Sequence, residues 1–221
     1  MEVKIHLSEI TKTVVQCDFD GTITEKDVSF MLLDTFAGRD WRKRLREYQG
    51  GKISVGRFNE GAFAMVKADR ESLLAVAKGG VKIRSGFHEL VACCRRKSFR
   101  FVIVSNGLDF YISEILRDIG VEDVEVFAAR TEFHPDGIKV RYLGPDGSYV
   151  DAGFKDAYTN LFLSQGCRVV YVGNGASDIS PARQCHHVFA TGDLLTHCEQ
   201  ADLSCTPFTD FNDVVRVLKA L

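Results

Sequence analysis

Long hydrophobic runs are missing from this sequence: its purely apolar stretches reach only a handful of residues, far short of the ~20 that cross a bilayer. No membrane partner is therefore expected. A charge of one sign is missing as well. Lys and Arg number 28 against 30 Asp and Glu, a formal net charge of −2 at pH 7, with a pI near 6.3. No basic excess exists to track a phosphate backbone, which argues against nucleic acid or an anionic membrane surface as partner. Proline is scarce at four residues, and no Pro/Ser-rich linker, repeat or low-complexity tract divides the chain. The seven cysteines show no CxxC spacing. An odd number of scattered thiols in a chain large enough to fold without staples reads as reduced cysteine and a cytoplasmic location. Residues 1–13 mix charged and apolar side chains without a signal-peptide core, so export is not expected.

What is present is ordinary globular composition, 45% hydrophobic and 26% charged over 221 residues. That is enough for one well-buried domain, or one domain carrying an insertion. Short β-rich runs alternate with helical stretches. Thr13, Val14, Val15, Gln16, Cys17, Asp18 and Phe19 form a first strand candidate, and Phe101, Val102, Ile103, Val104 and Ser105 a second. The second is continuously apolar, as suits a strand buried on both faces. Runs at 124–128, 168–173 and, more weakly, 187–190 follow. Between them Leu108, Tyr111, Ile112, Ile115, Leu116 and Ile119 recur at helical spacing, as do Phe87, Leu90, Val91 and Cys94. The alternation predicts an α/β fold with a Rossmann-like parallel sheet flanked by helices.

One stretch breaks that rhythm. Residues 25–84 carry no strand signal but show repeated helical stripes: Val28, Met31, Leu32, Thr35 and Phe36; then 41–48; then Val55, Phe58, Ala62 and Met65; then Leu73, Leu74 and Ala77. The interval is too long for a simple crossover. It reads as a helical cap (25–84) inserted after strand one, with 1–24 and 85–221 forming the core. A second, smaller insertion is predicted as a β-hairpin, with 138–142 and 148–150 joined at Gly144-Pro145-Asp146-Gly147.

Four clusters carry chemistry. Asp18 and Asp20, in Asp18-Phe19-Asp20-Gly21-Thr22, stand at the carboxyl end of strand one, where open α/β sheets place their ligands. Two carboxylates that close repel unless a cation or a shared proton intervenes. Ser105, Asn106 and Gly107 follow the second strand and precede a helix, where a hydroxyl and backbone N–H groups can hold an anion; the same triplet also serves as an ordinary N-cap. Lys155 opens the helix before the 168–173 strand, as a surface charge or as a fixed ammonium. Gly173, Asn174, Gly175, Ala176, Ser177 and Asp178 bring an amide and a carboxylate to the same sheet edge.

Taken in order, these clusters resemble the four motifs of the haloacid dehalogenase-like superfamily, and the likeness covers almost the whole chain. It implies a magnesium-dependent phosphatase that works through an aspartyl phosphate. Asp18 is then the nucleophile, Asp20 the acid and base, and Lys155 the charge that offsets both carboxylate and phosphate. Ser105, Asn106, Gly107 and Thr22 are the implied phosphate-binding residues. Mg2+ is the implied cofactor, with Asp18, Asp20 (through its carbonyl), Asn174 and Asp178 as its ligands. The family usually has Asp where this chain has Asn174. A neutral amide oxygen can still coordinate magnesium, so weaker metal binding is expected.

The helical insertion resembles that of the phosphoserine phosphatase branch. Within it, Cys17 to Thr24, Ser105 to Phe110 and the tail residues Ala190, Asp193, Leu194, Leu195, Cys198, Pro207, Phe208, Asp210 and Phe211 are similar to the MtnX-type phosphatases of methionine salvage. Those act on 2-hydroxy-3-keto-5-methylthiopentenyl-1-phosphate. Phosphoserine fits less well. Asp27 can serve as the acidic residue of that subfamily, but its cap arginine falls on Ala62, and Arg57 lies on another helical face. Phe58, Phe63 and Met65 suit a partly apolar substrate, or simply the packing of a helix. The other readings are a catalytically weak member that binds a phosphorylated ligand or partner, and a phosphoserine or phosphoethanolamine-type phosphatase. Phosphotransfer or dehalogenation also keeps the fold, although the acid Asp20 favours ester hydrolysis, because a halide leaves without a proton. The small-molecule ester is the expected partner, with the chain a monomer or a homodimer. His186 and His187 beside Cys185 read as structural.

Overall fold

β1 (Thr13–Cys17) runs through the middle of a sheet in the computed structural model, which describes residues 12–38 and 40–221. Its apolar side chains Val14, Val15 and Cys17 are buried, as expected of a strand covered on both faces. Four helices follow it over residues 28–80: α1 (Val28–Phe36), α2 (Trp41–Gln49), α3 (Val55–Phe63) and α4 (Arg70–Gly80). Three of them start on side-chain caps. Asp27, Ser54 and Asp69 accept from the backbone N–H of Phe30, Arg57 and Ser72 at 2.8, 3.1 and 2.8 Å, which satisfies donors that a helix start leaves open.

The chain continues through α5 (Phe87–Arg96), β2 (Arg100–Leu108), α6 (Asp109–Asp118), β3 (Glu125–His134), β4 (Gly137–Arg141), α7 (Phe154–Ser164) and β5 (Arg168–Gly173). A 3-10 turn at Ala176–Asp178 leads to α8 (Ile179–Ala182), then β6 (His187–Ala190), α9 (Gly192–Gln200), β7 (Thr206–Pro207) and α10 (Phe211–Leu218). The strand order is β4-β3-β2-β1-β5-β6-β7. All neighbours are parallel except β3 and β4. The fold class is the α/β class read from the alternation of strands and helices. Strand order reverses at β1, because the chain builds outward to β2 and β3 and then returns to β5 on the other flank. That switch point, at the carboxyl ends of β1, β2 and β5, is where such sheets open a ligand crevice.

Helices cover the sheet with aromatic anchors. Phe87 of α5 meets Phe211 of α10 at 5.6 Å between ring centroids, and both are buried; each contributes about 1.5–3 kcal/mol of burial free energy. Among α1 to α3, Phe30, Trp41, Tyr48 and Phe58 form a separate aromatic cluster, with Tyr48 stacked on Phe58 at 5.7 Å. The chain enters and leaves this helical stretch at bonded neighbours. Thr24 and Ile83 form an antiparallel bridge, Glu25 N–H donates to the Lys82 carbonyl at 2.9 Å, and Arg84 N–H donates to the Ile23 carbonyl at 2.8 Å.

Two local expectations need correction. The predicted hairpin of 138–142 with 148–150 forms only next to its turn, where Val150 N–H donates to the Tyr142 carbonyl at 2.9 Å and Gly144 N–H to the Ser148 carbonyl at 2.8 Å. Residues 137–141 pair instead with 130–134 of β3, so the turn falls at Pro135 and Asp136, with Gly137 (φ 145°) after it. The third strand runs six residues past its predicted end because 129–134 alternates polar and apolar residues, the pattern of a half-exposed strand rather than a buried one. Around Gly144 to Gly147 a short turn closes instead of a full hairpin, with a bridge between Leu143 and Tyr149 and a Gly147 N–H to Gly144 carbonyl bond at 2.9 Å. The two-residue β7 is the second correction, too short for periodicity to reveal.

Candidate active site

A cavity of about 520 Å³ opens at the switch point, with Asp18, Asp20, Ser105, Asn106, Gly107, Lys155 and Asn174 among its lining residues. Each owes its position to the end of a strand or the start of a helix. Past β1 the chain turns tightly: the Phe19 carbonyl accepts from the N–H groups of Thr22, Ile23 and Thr24, so Asp18 and Asp20 stand on a fixed loop. Gly21 has a φ of 75°, and a Cβ there would collide with the Asn174 amide. The loop after β1 and the loop after β5 therefore touch only because this residue lacks a side chain.

Asp18 and Asp20 are held differently. Asp18 Oδ1 accepts from Phe19 N–H at 2.7 Å and pairs with Lys155 Nζ at 2.9 Å, while Oδ2 has no bonded partner among the described residues. Asp20 is bound at both oxygens, Oδ1 by Val28 N–H at 2.9 Å and Oδ2 by the Tyr111 hydroxyl. One carboxylate thus keeps a free oxygen towards the cavity, and the other is clamped.

Lys155 is buried in the first turn of α7, with Nζ 2.6 Å from Asp178 Oδ1. Burial alone would lower its pKa, but the charges of Asp178 and Asp18 outweigh that, and it is raised. Gln16, a polar residue buried in central β1, anchors this helix. Its Nε2 donates to the Lys155 carbonyl at 3.3 Å and its Oε1 accepts from Thr159 Oγ1 at 2.9 Å.

The structure does not bring Asp178 to the cavity. Its Oδ1 accepts from Lys155 and Tyr171, and its Oδ2 from the N–H groups of Asn174 and Gly175 at 2.9 and 2.8 Å. Four accepted bonds fill the capacity of a carboxylate. Asp178 is a fully buried buttress for Lys155 and for the loop after β5, not a side chain free to take a cation. Thr22 is placed similarly. It is buried, its hydroxyl donates to Asn174 Oδ1 at 2.7 Å, and it is not among the residues that line the cavity.

Ser105, Asn106 and Gly107 do not follow the second strand but lie within its carboxyl end, where its register against β3 shifts, and this segment is pinned by other elements. Its central carbonyl, that of Asn106, accepts from Asn59 Nδ2 at 3.0 Å and from the Tyr142 hydroxyl at 2.5 Å. Gly107 N–H donates to Ser105 Oγ at 3.0 Å, and Asn106 Oδ1 is buried without a partner among the described residues. A Cβ on Gly107 would collide with Asp20 Oδ2 and the Tyr111 hydroxyl.

Electrostatics fit a cation that brings charge to oxygen ligands. Burial pushes the Asp18 carboxyl up to about 7 against the opposing pull of Lys155. It pushes Asp20 up to about 8, with the charge of Asp27 adding to it, and Asp27 up to about 6. These are three of the five carboxyl groups that line the cavity, with Glu25 and Asp193, and Lys155 is the buried ammonium beside them, so their ionised forms are short of positive charge. The open Asp18 Oδ2 supplies a hard oxygen donor, the type magnesium prefers; Asn174 Oδ1, neutral and already accepting from Thr22, supplies a weaker one.

A family model for haloacid dehalogenase-like hydrolase matches residues 15–183. The chain belongs to that family. Relatives within it include the 2-hydroxy-3-keto-5-methylthiopentenyl-1-phosphate phosphatases of Brevibacillus brevis and Geobacillus thermodenitrificans, each 28% identical over 94% of this chain and 96% of theirs. Among solved structures, a phospho-aspartyl intermediate analogue of phosphoserine phosphatase superposes with a TM-score of 0.71, at 19% identity over 94% of this chain and 99% of that one. Substrate-bound phosphoserine phosphatase gives 0.70 at 19% identity, covering 95% and 99%. These two establish likeness of fold.

Several residues of this haloacid dehalogenase-like site escape sequence reading. Tyr111 sits on the apolar stripe of α6 and reads as core; the only clue is that a buried Tyr hydroxyl needs a partner. Asn59, Gln16 and Tyr142 form their bonds across 47, 139 and 36 residues, beyond any local pattern. Arg84 lines the cavity and donates to the carbonyls of Thr22, Gly21 and Thr209 at 2.8, 2.8 and 2.9 Å. Of the three apolar candidates, Phe58 lines the cavity, together with Phe30, Leu45, Tyr48 and Val55. Phe63 is buried in the core and Met65 packs against it; neither lines the cavity. Arg57 is exposed and paired with Asp151 at 3.1 Å.

Proposed function

We propose that this protein hydrolyses a small phosphate monoester with magnesium, through a phosphorylated Asp18. The observation that carries the reading is the division of roles at one rim. Asp18 keeps Oδ2 open while Lys155 holds Oδ1 at 2.9 Å, and Asp20, raised to about 8 by burial, carries a proton at neutral pH. Asp18 Oδ2 attacks phosphorus, the P–O ester bond breaks, and the departing oxygen takes the proton of Asp20. Asp20, now ionised, removes a proton from water; that water attacks phosphorus, the acyl phosphate breaks, and inorganic phosphate leaves with Asp18 restored. Lys155 offsets the charge that collects on the phosphoryl oxygens, and the Ser105–Asn106 turn binds them. Magnesium, when held by Asp18, the Asp20 carbonyl and Asn174, supplies the positive charge that lets a carboxylate approach a phosphate dianion.

Residues 25–84 serve in this reading as a cap over the site. Its apolar wall of Phe30, Leu45, Tyr48, Val55 and Phe58 suits an ester whose organic part is largely uncharged. Arg84 and Lys155 are the cationic lining residues described, and both already have partners, so no arginine waits for a substrate carboxylate. This favours an MtnX-like substrate over phosphoserine. Phosphate release from p-nitrophenyl phosphate, lost on adding EDTA and in Asp18→Asn, tests the chemistry; 2-hydroxy-3-keto-5-methylthiopentenyl-1-phosphate tested against phosphoserine settles the substrate class. Folded protein that releases no phosphate at any magnesium concentration refutes the proposal.

One observation favours a second reading, a weak catalyst that binds its ligand. Asn174 is neutral, and its Oδ1 already accepts from Thr22, which makes a poor magnesium ligand. Asn174→Asp separates the two readings: a large rise in turnover at unchanged substrate affinity supports the weak catalyst, and little change supports a competent phosphatase.

A further inference from the structure

Asp20 is the most tightly held carboxyl of the cavity, and its second restraint comes from a residue without an assigned role. Tyr111 is fully buried in the first turn of α6. Its hydroxyl bonds Asp20 Oδ2 and also lies 2.8 Å from Ser29 Oγ, itself buried in α1. The neighbouring residue of α1, Val28, donates its N–H to the other oxygen, Asp20 Oδ1, at 2.9 Å. Gly107 leaves the room that this arrangement needs, since a Cβ there would collide with both the Asp20 carboxyl and the Tyr111 hydroxyl. The ring of Tyr111 is fixed in turn by Phe110 and Phe19, at 5.5 and 6.3 Å between centroids.

A carboxyl bonded at one oxygen can still rotate about its Cβ–Cγ bond, whereas one bonded at both cannot turn without breaking a contact. Proton transfer falls off steeply when the donor leaves the line to its acceptor. We infer that Tyr111 is a positioning residue for Asp20. Braced by Ser29, its hydroxyl fixes the plane of the Asp20 carboxyl so that the proton is delivered to the departing ester oxygen as the P–O bond breaks. The Asp20 carboxylate left behind still accepts from Val28 N–H and the Tyr111 hydroxyl. This inference rests on the phosphatase reading, and it makes a demand which that reading alone does not: loss of the Tyr111 hydroxyl should hurt in proportion to the leaving group's need for a proton.

The experiment compares Tyr111→Phe with unmodified protein, in magnesium, on p-nitrophenyl phosphate and on butyl phosphate. Nitrophenolate departs with little help, whereas butoxide must be protonated. The readout is kcat/KM, which reports the first chemical step; breakdown of the phosphorylated enzyme is common to both esters and drops out. General acid catalysis supplies about 10²–10⁴-fold, so misplacing the acid should lower kcat/KM for butyl phosphate by about 30-fold or more and that for p-nitrophenyl phosphate by less than about 3-fold. Ser29→Ala, which leaves the Tyr111 to Asp20 contact in place, should give a smaller loss with the same selectivity. Equal losses on both esters, or no loss on either, overturn the inference while leaving the phosphatase reading intact. If Tyr111→Phe fails to fold, Ser29→Ala decides by the same criterion. Unmodified, folded protein inactive on both esters overturns the phosphatase reading and this inference with it.

Discussion

Lys155 stands between two carboxylates but lies nearer the one outside the cavity: 2.6 Å from Asp178 Oδ1 against 2.9 Å from Asp18 Oδ1. All three groups are buried, so the ammonium is compensated mainly from behind and is shared with, not captured by, the residue that faces the cavity. Asp178→Asn removes the rear charge. The expected outcome is a loss of about 3 kcal/mol in a urea titration, the scale for breaking a buried pair by removing one partner. Turnover should fall as well, because Lys155 is drawn onto Asp18. A variant as stable and as active as the parent contradicts this account of the pair.

Acidity should stabilise the metal-free protein. Asp18, Asp20 and Asp27 are raised to about 7, 8 and 6 from an ordinary 3.8. The folded state therefore binds more protons than the unfolded chain between roughly pH 4 and 8, and stability falls as pH rises through that window. In EDTA, denaturation free energy should drop by at least about 2 kcal/mol from pH 5 to pH 8. Magnesium needs the ionised carboxylates, so adding it should raise the urea midpoint more at pH 8 than at pH 5. A midpoint that climbs with pH in EDTA contradicts the crowded-carboxylate description.

Gly107→Ala tests the close approach beside the acid. The added methyl meets the Asp20 carboxyl and the Tyr111 hydroxyl, so Asp20 must move. Turnover is expected to fall at least about 10-fold, as for a misplaced general acid, with the circular dichroism spectrum retained. Unchanged turnover would mean that the turn can shift at no cost.

Gln16→Leu asks whether the central strand sets Lys155. The substitution preserves volume but removes the bonds to the Lys155 carbonyl and to Thr159 Oγ1. The single Thr159 hydroxyl proton, released from Gln16 Oε1, can turn to the Lys155 carbonyl 3.0 Å away, so the cost should be about 1–2 kcal/mol rather than that of orphaned groups. Thermal denaturation measures it, and a stabilised variant would show that Gln16 is not needed for the fold.

Much of the frame was legible because strand ends and helix starts announce themselves locally. Asp18, Asp20, Ser105 and Lys155 all fall on such junctions, and the structure gathers them at one cavity. What stayed hidden depends on partners far apart in the chain. The spacing of residues 173–178 places Asp178 near the rim, yet nothing local reveals that Lys155, Tyr171 and two backbone N–H groups occupy its oxygens. Helical periodicity marks Phe58, Phe63 and Met65 alike, because it identifies an apolar stripe without saying whether core or cavity lies opposite. The partner of residues 138–141 was missed for a related reason: two turn signals, Asp136-Gly137 and Asp146-Gly147, are both used, and only the extension of β3 shows which of them pairs this strand.

The bridge between Thr24 and Ile83 has a consequence for engineering and for descent. A loop whose two feet are already bonded to one another transmits little strain to the sheet it springs from. Exchanging residues 26–81 for another segment with the same narrow foot spacing would leave β1 and α5 unstretched but would remove Val28, Ser29 and Asn59, which bond Asp20, Tyr111 and the Asn106 carbonyl. Such grafts would alter which molecules reach Asp18 and would also release Asp20, so in this architecture access to the cavity and the setting of its carboxyl groups change together.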